Sequence, residues 1–145
     1  MPTRIAQTTW RGGLQDGSGD VALASSNAAT FPVSFPRRAA DDAEGVTSPE
    51  ELIAAAHSSC YAMQLSALIA QAGATPESLD VSAAVTLRPD PKGGFMISEI
   101  AIKVRATLSG LDEAGFVAVA EDAKAGCPVS KALTGTTITL DAALA

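Results

Sequence analysis

Two cysteines, a pair of adjacent arginines and a glutamate are the residues of this sequence best equipped for redox chemistry. Cys60 lies within Ser48-Pro49-Glu50-Glu51-Leu52-Ile53-Ala54-Ala55-Ala56-His57-Ser58-Ser59-Cys60-Tyr61-Ala62-Met63, and Cys127 lies within Gly126-Cys127-Pro128. A cysteine attacks as its thiolate, and free amides at a helix start favour that charge. Cys127 precedes Pro128, a residue suited to the first position of a helix, so it stands at an N-cap. Taken alone, Cys60 reads as a small buried hydrophobe. With Cys127 on a helical element of its own, the two can instead meet as an attacking and a resolving thiol.

Such chemistry needs a cation to hold a thiolate, and Arg37 or Arg38 can supply it through a fork of N–H donors. Glu50 is the carboxylate that could orient the arginine. About ten residues of helix separate Glu50 from Cys60, a rise of about 15 Å, so one helix does not bring both to one point. The spacing therefore predicts that Glu50 and its arginine serve the Cys60 of a partner chain, in a two-fold dimer with two equivalent composite sites. His57 is one turn before Cys60 and could act as its base, but its plainer reading is a hydrogen-bonded core residue. Trp10 and Phe116 read as packing groups that could also line an apolar pocket. One histidine and two widely separated cysteines give no metal-ligand spacing, so neither a metal nor a cofactor is expected.

The element that positions these residues is a long helix. Ser48 can cap it, Pro49 suits its first position, and Glu51 completes an S-x-x-E capping box. No glycine or proline then intervenes before Gly73, which predicts a helix of about two dozen residues, roughly 35 Å long. Its apolar residues spread around most of the circumference, the mark of a helix buried in protein or membrane. Glu50, Glu51, His57, Ser58, Ser59 and Gln64 break the continuous apolar run of a membrane span. The central helix of a soluble core is the expectation.

Before that helix, residues 4–11 and 21–23 read as a β-ribbon around the turn Asp16-Gly17-Ser18-Gly19-Asp20, and Thr30 to Phe35 as an edge strand containing Pro32. Arg37 to Val46 reads as a mobile loop. Beyond Gly73 and a Thr75-Pro76 turn, Val81, Ala83, Val85 and Leu87 alternate with polar neighbours, and Ile100, Ile102, Val104, Ala106 and Leu108 do the same on the return. Phe95 and Ile97 fall on the opposite parity, as a bulge near Ser98-Glu99 would require. Asp112 can cap a helix carrying Phe116, Val119, Ala120 and Ala123; Pro128 starts a short one, and Thr136 to Leu140 alternates as a last strand. Grouped strands and helices indicate α+β, with helices on an antiparallel sheet, rather than a βαβ winding.

At 145 residues the chain is expected to form one domain, residues 1–145, with a real core. A net charge of −6 and ten scattered basic residues argue against nucleic acid as a partner. The first residues lack the apolar core of a signal peptide, so a cytoplasmic setting with free thiols is expected, and no membrane partner.

The motif from Ser48 to Tyr61, with Ala125-Gly126-Cys127-Pro128-Val129-Ser130 and the closing Ile138-Thr139-Leu140-Asp141, strongly resembles the OsmC/Ohr family, over nearly the whole chain from Trp10 to Leu140. The family usually has Asn at the position of Ser48 and Phe at that of Tyr61. Its Ohr branch carries an arginine near the first turn, where this chain has Asp16-Gly17-Ser18-Gly19, so the OsmC branch fits better. The resemblance implies an intertwined α+β homodimer, with antiparallel sheets around a long central helix and active sites at the subunit interface. By position it makes Cys60 the peroxidatic cysteine, Cys127 the resolving cysteine and Glu50 the partner of the active-site arginine. Aligned on Pro36, that arginine is Arg38, with Arg37 adjacent. It further implies an organic hydroperoxide substrate and a lipoyl-type dithiol reductant.

The mechanism expected from these readings is attack by Cys60 on the outer peroxide oxygen, release of an alcohol, and condensation of the sulfenic acid with Cys127. Apolar surroundings would favour alkyl or fatty-acid hydroperoxides. Two other classes fit the same residues: a thiol-disulfide reductase or acyl-transfer enzyme, and a non-catalytic dimeric binding module with inert cysteines.

Overall fold

The structure is a computed structural model that describes residues 1–145. It divides into two compact units, residues 1–52 and 53–145.

In the first unit β1 (Gln7–Arg11), β2 (Ser18–Ala22) and β3 (Thr30–Val33) form an antiparallel sheet in that order. Trp10 faces Gly19 across the first pair, and Asp20 faces Pro32 across the second. Pro32 is tolerated because β3 is an edge strand, where a missing N–H breaks no ladder. Its carbonyl accepts from the Thr47 amide at 3.2 Å, which ties the segment after β3 back to the sheet. That segment, expected as loop from Arg37, opens with a short helix α1 (Phe35–Arg38). Ser34 caps it and Pro36 occupies its first turn, a start signal too brief to show a helical period.

The long helix α2 (Pro49–Gln71) begins where expected, with the Glu51 amide donating to Ser48 Oγ at 3.2 Å. The reciprocal half of the capping box is redirected: the Glu51 carboxylate accepts from the Thr47 hydroxyl. Gly73, at φ 81°, stops the helix in the left-handed conformation, and the Ala74 amide reaches back to the Ile69 carbonyl at 3.2 Å.

The second unit holds the core. β4 (Thr75–Pro89) and β5 (Phe95–Ser109) form a long antiparallel hairpin, followed by α3 (Glu113–Gly126), α4 (Pro128–Ala132) and β6 (Thr137–Leu144). Pro76, expected in a turn, lies inside β4 opposite Leu108, beside an irregularity that absorbs Glu77. At the far end Thr86 faces Glu99 and Leu87 faces Ile97, so Ser98 is the extra residue of a bulge. This accounts for the parity change along β5.

The sheet is mixed rather than antiparallel, because β6 pairs with β5 in parallel. The two helices between them carry the chain back to its starting end, the crossover a parallel pair requires. β5 is the middle strand and its Ile100, Ile102, Val104 and Ala106 are buried. Against them pack Tyr61, Leu65 and Ile69 of α2 and Phe116, Ala120 and Ala123 of α3. Each buried Val, Leu, Ile or Phe side chain there contributes about 1.5–3 kcal/mol.

α2 has the length and mean hydropathy of a membrane span. Its buried residues beyond the first turn, however, are the stripe His57, Tyr61, Leu65 and Ile69 at four-residue spacing, the pattern of a helix lying on a core. The expectation that it is buried nearly all round fails in the single chain. Met63 is 69% exposed, and Ala55, Ala56, Ala67 and Ala70 are exposed with it. The core of the second unit covers one side of the helix, and the apolar residues of the far side are exposed.

Candidate active site

Residues 57, 60 and 61 lie within about one turn of α2, so their side chains share a face. Tyr61 is buried, and its hydroxyl donates to the Ala120 carbonyl of α3 at 3.1 Å. The phenol therefore keeps a partner in the core and ties α2 to α3. Burial, followed by the charges of Glu121 and Cys127, pushes that phenol far above its ordinary value.

The end of α3 comes equally close. A β-carbon on Gly126 would lie 3.1 Å from Gln64 Nε2, the flexible end of a side chain of α2. Cys127 follows, both ending α3 and capping α4 ahead of Pro128. This turn brings the Cys127 thiol to the Cys60 thiol, and the two interact directly. Both are free cysteines, Cys127 fully buried and Cys60 partly open.

The surroundings treat the two sulfurs differently. Burial opposes a charge on Cys127, but the Ser130 amide, the Cys60 thiol, the Ser130 hydroxyl and the Val129 amide outweigh it and hold its pKa below the usual thiol range. Burial also raises the Cys60 thiol; the Val129 amide opposes this, while the neighbouring Cys127 raises it further. Within this unit the α4 terminus thus favours a thiolate on Cys127, and Cys60 lacks a cation to ionise it.

His57 is buried, with Nε2 2.8 Å from Ser130 Oγ. It is a hydrogen-bonded core residue, and burial holds its imidazole below the usual histidine range. Ser130 was given no role by sequence reasoning. The available signal was its place three residues after an N-cap cysteine, where a helix turns its amide toward the cap.

The first unit carries an arginine–carboxylate pair. Arg38 donates through Nε to both Glu50 oxygens, at 3.2 and 3.0 Å, and through a terminal nitrogen to Oε1 at 2.6 Å. Arg37 turns to Glu44 instead, at 2.5 Å. Burial would raise the Glu50 carboxyl, but bonds from Arg38, its own backbone amide and Ser48 bring it below its ordinary value. The same pair raises Arg38. Arg38 also stands on the wall of a groove of about 470 Å³ with Trp10, Leu14, Val21, Phe35 and Leu52. Trp10 thus lines a pocket, whereas Phe116 is a core residue. No cluster of His, Cys, Asp or Glu has the makings of a metal site.

A paired-thiol centre and a forked arginine–carboxylate pair, each on the motif residues, are accompanied by similarity along the chain. The family profile of OsmC-like proteins matches residues 41–141. This chain belongs to the OsmC family. It is 41% identical over 135 residues to the peroxiredoxin OsmC of Escherichia coli (strain K12), covering 93% of this chain and 92% of that protein. An organic hydroperoxide resistance protein from Elizabethkingia anophelis superposes with a TM-score of 0.78 at 25% identity, over 100% of this chain and 98% of its own. OhrB of Bacillus subtilis, an organic hydroperoxide resistance protein, gives 0.73 at 26%, over 95% and 97%. The α+β architecture is therefore that of the OsmC and Ohr structures.

Proposed function

We propose that this protein is a thiol-dependent peroxidase that reduces organic hydroperoxides to alcohols, using Cys60 as attacking thiol and Cys127 as resolving thiol. The observation that carries this reading is the meeting of Cys60 with Cys127 at the start of α4, in a chain 41% identical to a peroxiredoxin. Cys60 attacks the outer peroxide oxygen as its thiolate; the O–O bond breaks, and the alkoxide takes a proton and leaves as the alcohol. Cys60 is left as a sulfenic acid. Attack by the Cys127 sulfur forms the disulfide and expels water, and a dithiol reductant, lipoyl-type in the OsmC/Ohr family, restores both thiols.

Cys60 needs a cation that its own unit lacks, and Arg38 oriented by Glu50 is suited to provide it. The rise along α2 separates Glu50 and Cys60 by about 15 Å, so the pair is assigned to the Cys60 of a second copy in a homodimer. The uncovered apolar side of α2 supports this assembly. So does the first unit, which buries no apolar side chain of its own. In that dimer residues 1–145 act as one OsmC-like domain. The groove beside Arg38 would take an alkyl chain, each Å² of buried hydrocarbon being worth about 25 cal/mol. Two free thiols suit a reducing, cytoplasmic compartment.

The deciding experiment is intact-mass analysis after one equivalent of cumene hydroperoxide. The reduced protein should lose two hydrogens, about 2 Da, as the disulfide closes, and Cys127→Ser should gain one oxygen at Cys60. Unchanged mass with both thiols titratable would end the peroxidase reading. An oxygen trapped on Cys127 in Cys60→Ser, with none on Cys60 in Cys127→Ser, would reverse the two roles.

A further inference from the structure

His57 belongs to no part of the chemistry described so far and Ser130 to none of its steps, yet the two are buried together, one turn from Cys60 and from Cys127. We infer that they form a donor relay that holds Cys127 as the resolving nucleophile: His57 Nε2–H donates to Ser130 Oγ, and the Ser130 hydroxyl donates to the Cys127 sulfur. The inference rests on Cys127 being the resolving thiol.

His57 has no exposed surface and Ser130 only 6%, and their contact at 2.8 Å joins α2 to α4 across 73 positions of sequence. The remaining ring nitrogen, Nδ1, is buried without a partner. The two tautomers differ in cost. With the proton on Nδ1, a buried N–H would lack an acceptor, the rarer and costlier omission; with it on Nε2, only a lone pair is left over. The imidazole is neutral, since burial disfavours its charged form.

Once Nε2–H donates to Ser130 Oγ, the serine's own hydrogen must point elsewhere. We direct it to the sulfur of Cys127, which caps the helix in whose first turn Ser130 lies. Ser130 thereby offers Cys127 two donors, its amide from the first turn of α4 and its hydroxyl. Bonds of this kind strengthen when the acceptor is ionised, so the relay favours the thiolate. The titratable groups facing Cys127 are Cys60 and Tyr61, both from α2, with His57 behind Ser130; of these Cys60 is the one whose state changes in turnover.

The relay acts in the second half-reaction. The Cys127 thiolate attacks the Cys60 sulfenic sulfur, the S–S bond forms as the S–O bond breaks, and the departing hydroxide takes up a proton to leave as water. Cys127 begins that step without a proton to shed. Ser130 is therefore a positioning residue for resolution, and His57 orients Ser130.

Thiolate absorbance near 240 nm, followed against pH in a Cys60→Ser background, measures Cys127 directly. Ser130→Ala should raise its midpoint by about one pH unit, the worth of one bond to a charged sulfur. Ser130→Thr, which keeps the hydroxyl, should stay near the parent. His57→Gln keeps an N–H donor and should do likewise, while His57→Leu shifts the midpoint upward. With Cys60 present, stopped-flow disulfide closure should cross over in Ser130→Ala. Below both midpoints it runs about threefold slower than wild type, because fewer thiolates outweigh their greater nucleophilicity; above both it runs about threefold faster. An unmoved midpoint in Ser130→Ala, or a uniform slowing without crossover, would overturn the relay and leave the two residues as packing. Failure of the wild type to oxidise at all would sink the peroxidase reading separately, since the titration needs no peroxide.

Discussion

At the scale of single residues, the Arg38–Glu50 fork makes the firmest predictions. Lysine retains the charge at 38 but cannot bond both carboxylate oxygens in one plane, so Arg38→Lys should lower kcat/KM for cumene hydroperoxide at least about tenfold, the worth of one charge-assisted bond. Arg37→Ala, which breaks an exposed pair with Glu44, should stay within about twofold of wild type; the reverse pattern would move the role to Arg37. Stability follows the same pair through pH. The folded Glu50 carboxyl lies below its ordinary value, so the native state favours its ionised form. That stabilisation is fully present above about pH 4.5, the ordinary value, and is lost as pH falls through the folded value. Glu50→Gln should therefore cost about 1 kcal/mol in urea unfolding at pH 7, discounted because Arg38 is partly open to solvent. The difference should fade below about pH 4; if it persists in acid, the carboxylate is not its source. The places of Glu50 and Cys127 were legible in sequence because each sits beside a proline at a helix start, where residue type and local geometry are tied; Cys60, mid-helix, and the choice of arginine rested on the family motif. The bond between His57 and Ser130 was not legible, because no local pattern links a mid-helix histidine to a serine 73 positions away.

The elements divide in the same way. Alternation with period two located β4 and β5, and its change of parity located the bulge at Ser98, because pleating alone decides which face a side chain takes. Alternation says nothing of direction, so the parallel pairing of β6 with β5 was not readable from Thr137 to Leu144. Helix α2 was readable in length, since its stop depends on one residue. Gly73 has φ 81° and open space where a β-carbon would go, so Gly73→Ala meets no clash and suffers only the left-handed conformation. It should cost about 1 kcal/mol, seen as a lower urea midpoint at unchanged slope. Asp112→Ala should cost a similar amount, about 1 kcal/mol, because Asp112 caps α3 by accepting from the Gly115 amide at 2.8 Å. A full-sized effect at Asp112 with none at Gly73 would show that the end of α2 relaxes into another turn.

For the whole molecule the question is which chain supplies the cation to which thiol. α2 carries Glu50 in its first turn and Cys60 near its middle, on a helix whose apolar far side stands open around Met63. If that side is the dimer interface, Met63→Glu should place a charge in it twice, once per copy under two-fold symmetry, and convert a dimer to monomers in light scattering. Complementation then asks whether the sites are shared. Cys60→Ser and Glu50→Ala chains are each inactive in a homodimer. Co-expressed in equal amounts and mixed at random, they form about half heterodimers, and in each of these one of the two composite sites joins an intact Glu50 to an intact Cys60 on the opposite chain. Activity should return to about one quarter of wild type per chain. If Glu50 served the Cys60 of its own helix, no chain in the mixture would hold both residues, and activity would stay at the level of the parents. Recovery and silence thus separate a helix that links two active sites from one that carries a single site along its length.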